Sequence, residues 1–220
     1  MSIAALDLAD WRRRVAELYA AIRADDDPER AHAGWRAVRD ELIGTHPQSP
    51  APPGAAVRSA GVPYWPYDPA LRFELPLLAA ATGAKTATAT ANEATGAKAA
   101  AAASLDIPTD RGNVTSLELA GRVEVPDPVG ASLDVWSLRQ YAGGLFVPVR
   151  DGTAGETSYG GGRYLLDTAK GADLGGGPGT LVIDLNFLYH PSCRYNPAWQ
   201  CPLAPPGNTI PYPVRAGERF

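Results

Sequence analysis

The stretch DLNFLYHPSCRYNPAWQCPLAPPGNTIPYPVRAG, from Asp184 to Gly217, constrains this chain more than any other. Proline locks φ and removes a backbone donor, so a segment this rich in proline forms neither a long helix nor an interior strand. It also holds both cysteines, one of the three histidines and many aromatics. The expectation is an ordered, irregular wrap over something more regular. The rest of the chain is then the platform for it.

A chain of 220 residues can bury a sizeable core in one domain, or in one domain plus an appendage. Its 45% hydrophobic and 20% charged content is that of a soluble globular protein. A formal charge of -4 leaves little room for a clustered basic face, which argues against a nucleic-acid partner. No apolar run nears the roughly 20 residues that span a bilayer, so no membrane partner is expected. The N-terminal MSIAALDLADWRRR places its arginines after the apolar residues, unlike a secretory signal. Two cysteines without such a signal point to a reduced, cytoplasmic protein. A small molecule is the remaining partner class. Cofactor and oligomeric state stay open.

Three regions follow from the patterning. In residues 1–45, Leu8, Trp11, Val15, Leu18 and Ile22 recur at helical spacing and predict a helix over about 7–24. Asp27 and Pro28 then suit the cap and first turn of a second helix reaching about Leu42, with Gly44 as its C-cap. His32 falls on the polar side and is expected to be solvated. Residues 46–60 are a proline-rich connector. From residue 61 onward strand signals dominate, and the C-terminal wrap closes this third region. Leu71 to Leu75 alternates apolar and polar residues, as a half-buried strand does. Strands are expected at Val114–Leu119, Gly121–Val125, Ala131–Leu138, Gly144–Val149 and Thr180–Asn186, with a possible return strand starting at Glu156–Tyr159. Leu133 and Val135 share one face of theirs and Trp136 the other. Lys85–Ala91 and Ala97–Leu105 are read as strands, although their alanine content also suits helix. Short strands with turns between them predict a mainly β fold, an antiparallel barrel or sandwich with two N-terminal helices packed on it.

Several ordered motifs carry a family resemblance. They are Phe146-Val147-Pro148-Val149-Arg150-Asp151, then Tyr159 to Leu165, Asp184-Leu185-Asn186-Phe187, Tyr195-Asn196-Pro197, Cys201-Pro202-Leu203 and Ala216-Gly217-Glu218. Trp11, His46 to Pro50 and Tyr64 to Asp68 fit as well. The chain resembles the bacterial and archaeal domain-of-unknown-function family 1684 over nearly its whole length. That resemblance implies a site region but no reaction. Leu185 departs from the family's phenylalanine, and His190 stands where asparagine is usual, so a general role for that histidine is not implied.

His190, Cys193 and Cys201 give a spacing unlike usual zinc motifs and lack a fourth ligand, so no metal is assigned. Cys193 with His190 nearby has the residue types of a thiol nucleophile and base, but two small buried thiols or a short-loop disulfide explain them as well. Gly160, Gly161 and Gly162 let a backbone approach a ligand, and Arg163 can grip a carboxylate or phosphate. A structural glycine bulge with Arg163 paired to Asp184 is the competing reading. Asp151 and Asp184 suit an acid/base pair if buried together. The expected ligand-binding set is Arg150, Tyr159, Gly161, Arg163, Asp184, Asn186, Tyr195 and Asn196, lining a pocket for a small polar or anionic molecule. Against it stand an enzyme, either a hydrolase using Asp184 or Cys193 or a flavin-dependent split-barrel protein, and a purely structural protein.

Overall fold

Period-two patterning dictates most of the architecture. A computed structural model of the protein describes residues 4–79, 104–108, 114–138 and 143–220. The strands are β1 (Arg72–Pro76), β2 (Leu78–Ala79), β3 (Ser104–Pro108), β4 (Val114–Val125), β5 (Ala131–Leu138), β6 (Leu145–Val149), β7 (Arg163–Asp167) and β8 (Thr180–Asp184). A six-stranded sheet runs in the order β2-β4-β5-β6-β7, with β3 also paired to β4. Strands β1 and β8 form a separate antiparallel ribbon. The fold is mainly β and antiparallel, and among the described residues neither sheet closes on itself.

Strand β4 joins two segments that the sequence suggests are separate. The register with β5 shifts between Leu119 and Gly121, so the chain crosses this point as a bulge rather than a turn. A Cβ on Gly121 would lie 2.5 Å from the Leu78 carbonyl oxygen, which explains why only glycine lets β2 pair there. The residues from 80 to 103, which include the 85–91 strand expectation and most of the 97–105 one, lie outside those described. Residues 156–159 form no strand; the Glu156, Thr157 and Ser158 amides all donate to the Thr153 carbonyl, which closes a tight turn there.

Two helices cover one side, α1 (Ala4–Ala24) and α2 (Pro28–Thr45), and a short α3 (Val57–Ala60) follows within the connector. Asp27 caps α2 by accepting from the Glu29 and Arg30 amides. Gly44 does not end α2. The helix runs to Thr45 and His46 is the capping residue, in extended conformation. His32 is buried rather than solvated, stacked on Trp35 and edge-on to Phe187. The helix turns that side inward because Ala31 and Trp35, its neighbours on the same face, also bury. Among the described residues no helix is long and apolar enough to cross a membrane.

The main core joins Tyr19, Trp35 and Ile43 of the helices to Val123, Leu133, Val135, Val147 and Leu165 of the sheet. The second sheet face carries Leu117, Trp136, Phe146 and Tyr164, closed by Cys201. The proline-rich wrap lies over this face. Its Asn208 accepts from Trp136 Nε1 at 2.8 Å and donates to the Asp134 carbonyl at 2.8 Å. Burying these polar groups in mutual hydrogen bonds lets an irregular segment seal a sheet without unsatisfied donors.

Candidate functional site

The antiparallel register of β1 and β8 places Arg72 opposite Asp184 and Glu74 opposite Val182. Alternation puts these four on one face of the ribbon and Phe73, Leu75, Leu181 and Ile183 on the core face. The outer face forms one wall of a cleft of about 430 Å³. Ile22, Arg23 and Asp25 at the end of α1, the start of α2, and the Gly175–Gly177 turn form the others, and Phe187 also contributes.

Asp184 is the chemically distinctive group here. It is 1% exposed. Its Oδ1 accepts from the Asn186 amide at 3.0 Å and from Asn186 Nδ2 at 2.8 Å. Among the described residues its Oδ2 has only longer partners, the Tyr67 hydroxyl at 3.4 Å and Arg72 Nε at 3.7 Å. Burial pushes the carboxyl up to about 6, despite the opposing pull of Asn186 and Arg72. Asp184 therefore changes protonation near neutrality, with its less-engaged oxygen next to Arg72.

The remaining charges around the cleft are mostly committed. Glu74 accepts from the Thr180 hydroxyl at 2.6 Å and the Gly177 amide at 3.2 Å. Arg23 donates to the Asp173 carbonyl at 2.6 Å. Asp25 pairs with Arg30. Beside Asp184, the Tyr67 ring lies 5.4 Å from buried His32, whose Nε2 has no hydrogen-bond partner among the described residues. Burial lowers the His32 pKa to about 4, with help from Arg36, so the ring is neutral.

The other residues expected to bind a ligand do not line this cleft. Asn186 is fully buried and grips the backbone of Asp68, accepting its N–H at 2.9 Å and donating to its carbonyl at 2.8 Å. Arg163 is fully buried and pairs with Asp151 at 2.7 Å, not with Asp184. It also donates to the carbonyls of Val214 at 2.9 Å, Glu218 at 3.0 Å and Ala216, and its guanidinium stacks over Trp65. Its two terminal nitrogens thus clamp the C-terminal strap, while Nε finds no hydrogen-bond partner among the described residues. Arg150 is exposed and donates to the Gly160 carbonyl at 3.1 Å. Gly161 packs under the Tyr159 ring, where a Cβ would come within 2.6 Å. Asn196 caps its own turn through the Ala198 amide at 2.8 Å.

A second polar cluster gathers around Glu218, which is wholly buried. The Arg39 guanidinium pairs with it, the His190 amide donates at 2.6 Å and the Tyr195 hydroxyl at 3.0 Å. Burial alone would raise this carboxyl, but Arg39 and His190 more than offset it and hold it at about 2. His190 Nδ1 faces Glu218 at 3.3 Å, while Nε2 accepts the Tyr159 amide at 3.2 Å. This assigns the neutral Nδ1–H tautomer and leaves neither ring nitrogen open to a metal or substrate. Among the described residues, no group of three or more histidine, cysteine or acidic side chains gathers to hold a metal.

Arg72, Glu74, Tyr67 and Arg39 are not among the residues that the sequence marks as binders. The alternation over Leu71 to Leu75 does mark Arg72 and Glu74 as one face of a strand, but nothing local tells that face from an ordinary solvated one. Arg39 carries no local signal at all.

Fold and cleft together define a mainly β protein whose helical cover and edge ribbon enclose a polar cleft around a buried carboxyl. The chain belongs to the family described as protein of unknown function (DUF1684), whose model matches residues 58–219. It is similar to the solution NMR structure of an uncharacterised protein of Haloarcula marismortui, at 31% identity and a TM-score of 0.54, covering 89% of this chain and 97% of that one. No curated protein matches.

Proposed function

We infer that the protein binds a small polar molecule in the cleft between α1, α2 and the β1–β8 ribbon. The observation that carries this is Asp184. A buried carboxyl beside Arg72, with one oxygen only loosely engaged, borders a cavity of about 430 Å³. Wall residues of both signs favour a ligand with donors and acceptors over a simple anion, because three carboxylates and two guanidinium groups line the space. Arg72 and Asp184 supply the direct contacts, and the Gly175–Gly177 backbone supplies a close wall.

The test is amide chemical-shift mapping with acetate, glycerol, ethanolamine and glycine, one probe per charge class. Shifts confined to residues 72–74, 174–177 and 182–187, and lost in Arg72→Ala, support the reading. Shifts clustered elsewhere, or none at millimolar probe, overturn it. A second reading, acid–base catalysis at the same site, is favoured by the Asp184 pKa near neutrality. It requires that a bound probe be turned over with a rate that titrates near pH 6 and vanishes in Asp184→Asn.

A further inference from the structure

The cleft between α1, α2 and the β1–β8 ribbon carries both signs of charge, and much of that charge is spent within the protein. Arg23 pairs with Asp173, and Asp25 with Arg30. Both hydrogen bonds to Glu74 fall on Oε1, at 2.6 and 3.2 Å. Its Oε2 is left without a hydrogen-bond partner among the described residues. Arg72 faces Asp184 Oδ2 through Nε, at 3.7 Å. Its two terminal nitrogens are likewise unpartnered among the described residues, and its side chain is 37% exposed. Arg72 and Glu74 are two residues apart on one strand, so they rise from the same face about 7 Å apart. Asp184 stands directly across from Arg72. One guanidinium fork beside two carboxylate oxygens is therefore what the cleft offers a ligand.

The rest of the lining is apolar. Ile22, Leu174, Val182 and Phe187 border the same space. Leu174 and Phe187 belong to the main core, and Ile22 and Val182 pack against it, so this wall is fixed in place. The volume of about 430 Å³ lies toward the small end of the roughly 300–1,000 Å³ typical of ligand pockets. We propose that the ligand of this cleft is a zwitterionic α-amino acid with an apolar side chain, an inference that rests on reading the cleft as a binding site. The ligand carboxylate takes the two terminal nitrogens of Arg72 as a bidentate pair. The ammonium lies between Glu74 Oε2 and Asp184 Oδ2. The side chain covers the apolar wall.

Charge selects this class over its simpler relatives. A plain anion satisfies Arg72 but brings its own charge toward Glu74 and Asp184. A plain amine satisfies the carboxylates but brings like charge toward Arg72. Such like-charge approaches act against the wrong ligand as well as for the right one. A ligand that carries both signs on neighbouring atoms meets all three groups at once. A wholly polar ligand would leave the Ile22 to Phe187 wall uncovered, and burying that wall is the part of the contact that water favours.

Four probes separate these contributions on the full-length protein. Leucine carries all three features, isoamylamine lacks the carboxylate, 4-methylpentanoate lacks the ammonium, and glycine lacks the apolar side chain. Amide shifts at residues 72–74, 174–177 and 182–187 should give leucine a Kd at least tenfold below each of the others. Arg72→Gln should reduce leucine to the affinity of isoamylamine without weakening isoamylamine itself. Glu74→Gln should weaken leucine and isoamylamine together and spare 4-methylpentanoate. Both side chains are exposed, and glutamine at 74 can still accept from Thr180 and Gly177, so both variants keep the ribbon. Any of the three simpler probes binding at these residues within tenfold of leucine overturns the apolar amino-acid class and leaves the cleft a binding site. If none of the four moves these amides at millimolar concentration, the binding reading of the cleft falls and this inference falls with it.

Discussion

Arg72 and Asp184 are direct cross-strand partners, with Nε and Oδ2 3.7 Å apart at the edge of the cleft. The guanidinium is partly exposed and the carboxylate is not, so the pair only partly repays the cost of burying Asp184. That imbalance sets the protonation of the site.

The first expectation concerns pH. The folded-state pKa of Asp184 lies at about 6, above its ordinary 3.8. Between these values the folded protein holds a proton that the unfolded chain has released, so stability falls as pH rises through that window. The loss amounts to roughly 2–3 kcal/mol, nearly complete above about pH 6. Urea unfolding at intervals from pH 4 to 7 should show this decline in the wild type and its absence in Asp184→Asn. A difference between the two proteins that stays constant with pH would contradict the assignment.

Arg163 and Asp151 hold the C-terminal strap through a pair that is almost wholly inaccessible to water. Removing one partner leaves an uncompensated buried charge, at a cost of about 3–5 kcal/mol. Arg163→Met and Asp151→Leu should each lower the urea midpoint steeply. The double variant should recover much of the loss, because it removes both charges together. A double variant as unstable as the sum of the singles would show that the carbonyl contacts to Val214 and Glu218, not the ion pair, carry the clamp.

Glu218 titrates in the opposite sense from Asp184. Its folded pKa of about 2 lies below the ordinary 4.5, so its contribution is present above pH 4.5 and is lost as pH falls toward 2. The Glu218→Gln variant keeps the shape but leaves Arg39 without its counter-charge. A destabilisation of about 3 kcal/mol or more at pH 7, shrinking below pH 4, is expected. Equal destabilisation at pH 7 and pH 3 would mean that packing, not charge, sets the cost.

Local pattern explains what was legible in the chain. Helical spacing anticipates α1, whose Val15, Leu18 and Ile22 pack on the core although Leu8 stays exposed, and the apolar residues of Ala131–Leu138 anticipate β5, which buries Leu133 and Val135 on one face and Trp136 on the other. The irregular wrap follows from its prolines. What local pattern lacks is pairing. Nothing near Arg163 marks Asp151 rather than Asp184 as its partner, since both are acids bordering strands. His32 looked polar and exposed by its helical position, yet long-range stacking against Phe187 buries it. The cleft emerges only when β1 and β8, far apart in sequence, come into register. Of the residues singled out as binders, Asp184 borders that cleft, whereas Arg163 spends its hydrogen bonds on Asp151 and the C-terminal backbone and Asn186 on Asp184 and the Asp68 backbone.

Asn186 offers the sharpest separation of structure from chemistry at the site. Its amide side chain joins three groups: the Asp68 N–H, the Asp68 carbonyl and Asp184 Oδ1. Asn186→Ala leaves both Asp68 backbone groups without that partner, at a cost of about 1–3 kcal/mol. It also removes the strongest hydrogen bond opposing the effect of burial on Asp184, so the carboxyl should titrate above pH 6. Carbon-detected NMR of the Asp184 carboxyl should follow both proteins across pH 4–8. Arg72→Ala should raise the same titration, but with little loss of stability, because Arg72 is partly exposed and pairs at long range. If Asn186→Ala destabilises the protein while the Asp184 midpoint stays put, the hydrogen bond from Asn186 Nδ2 does not tune this acid.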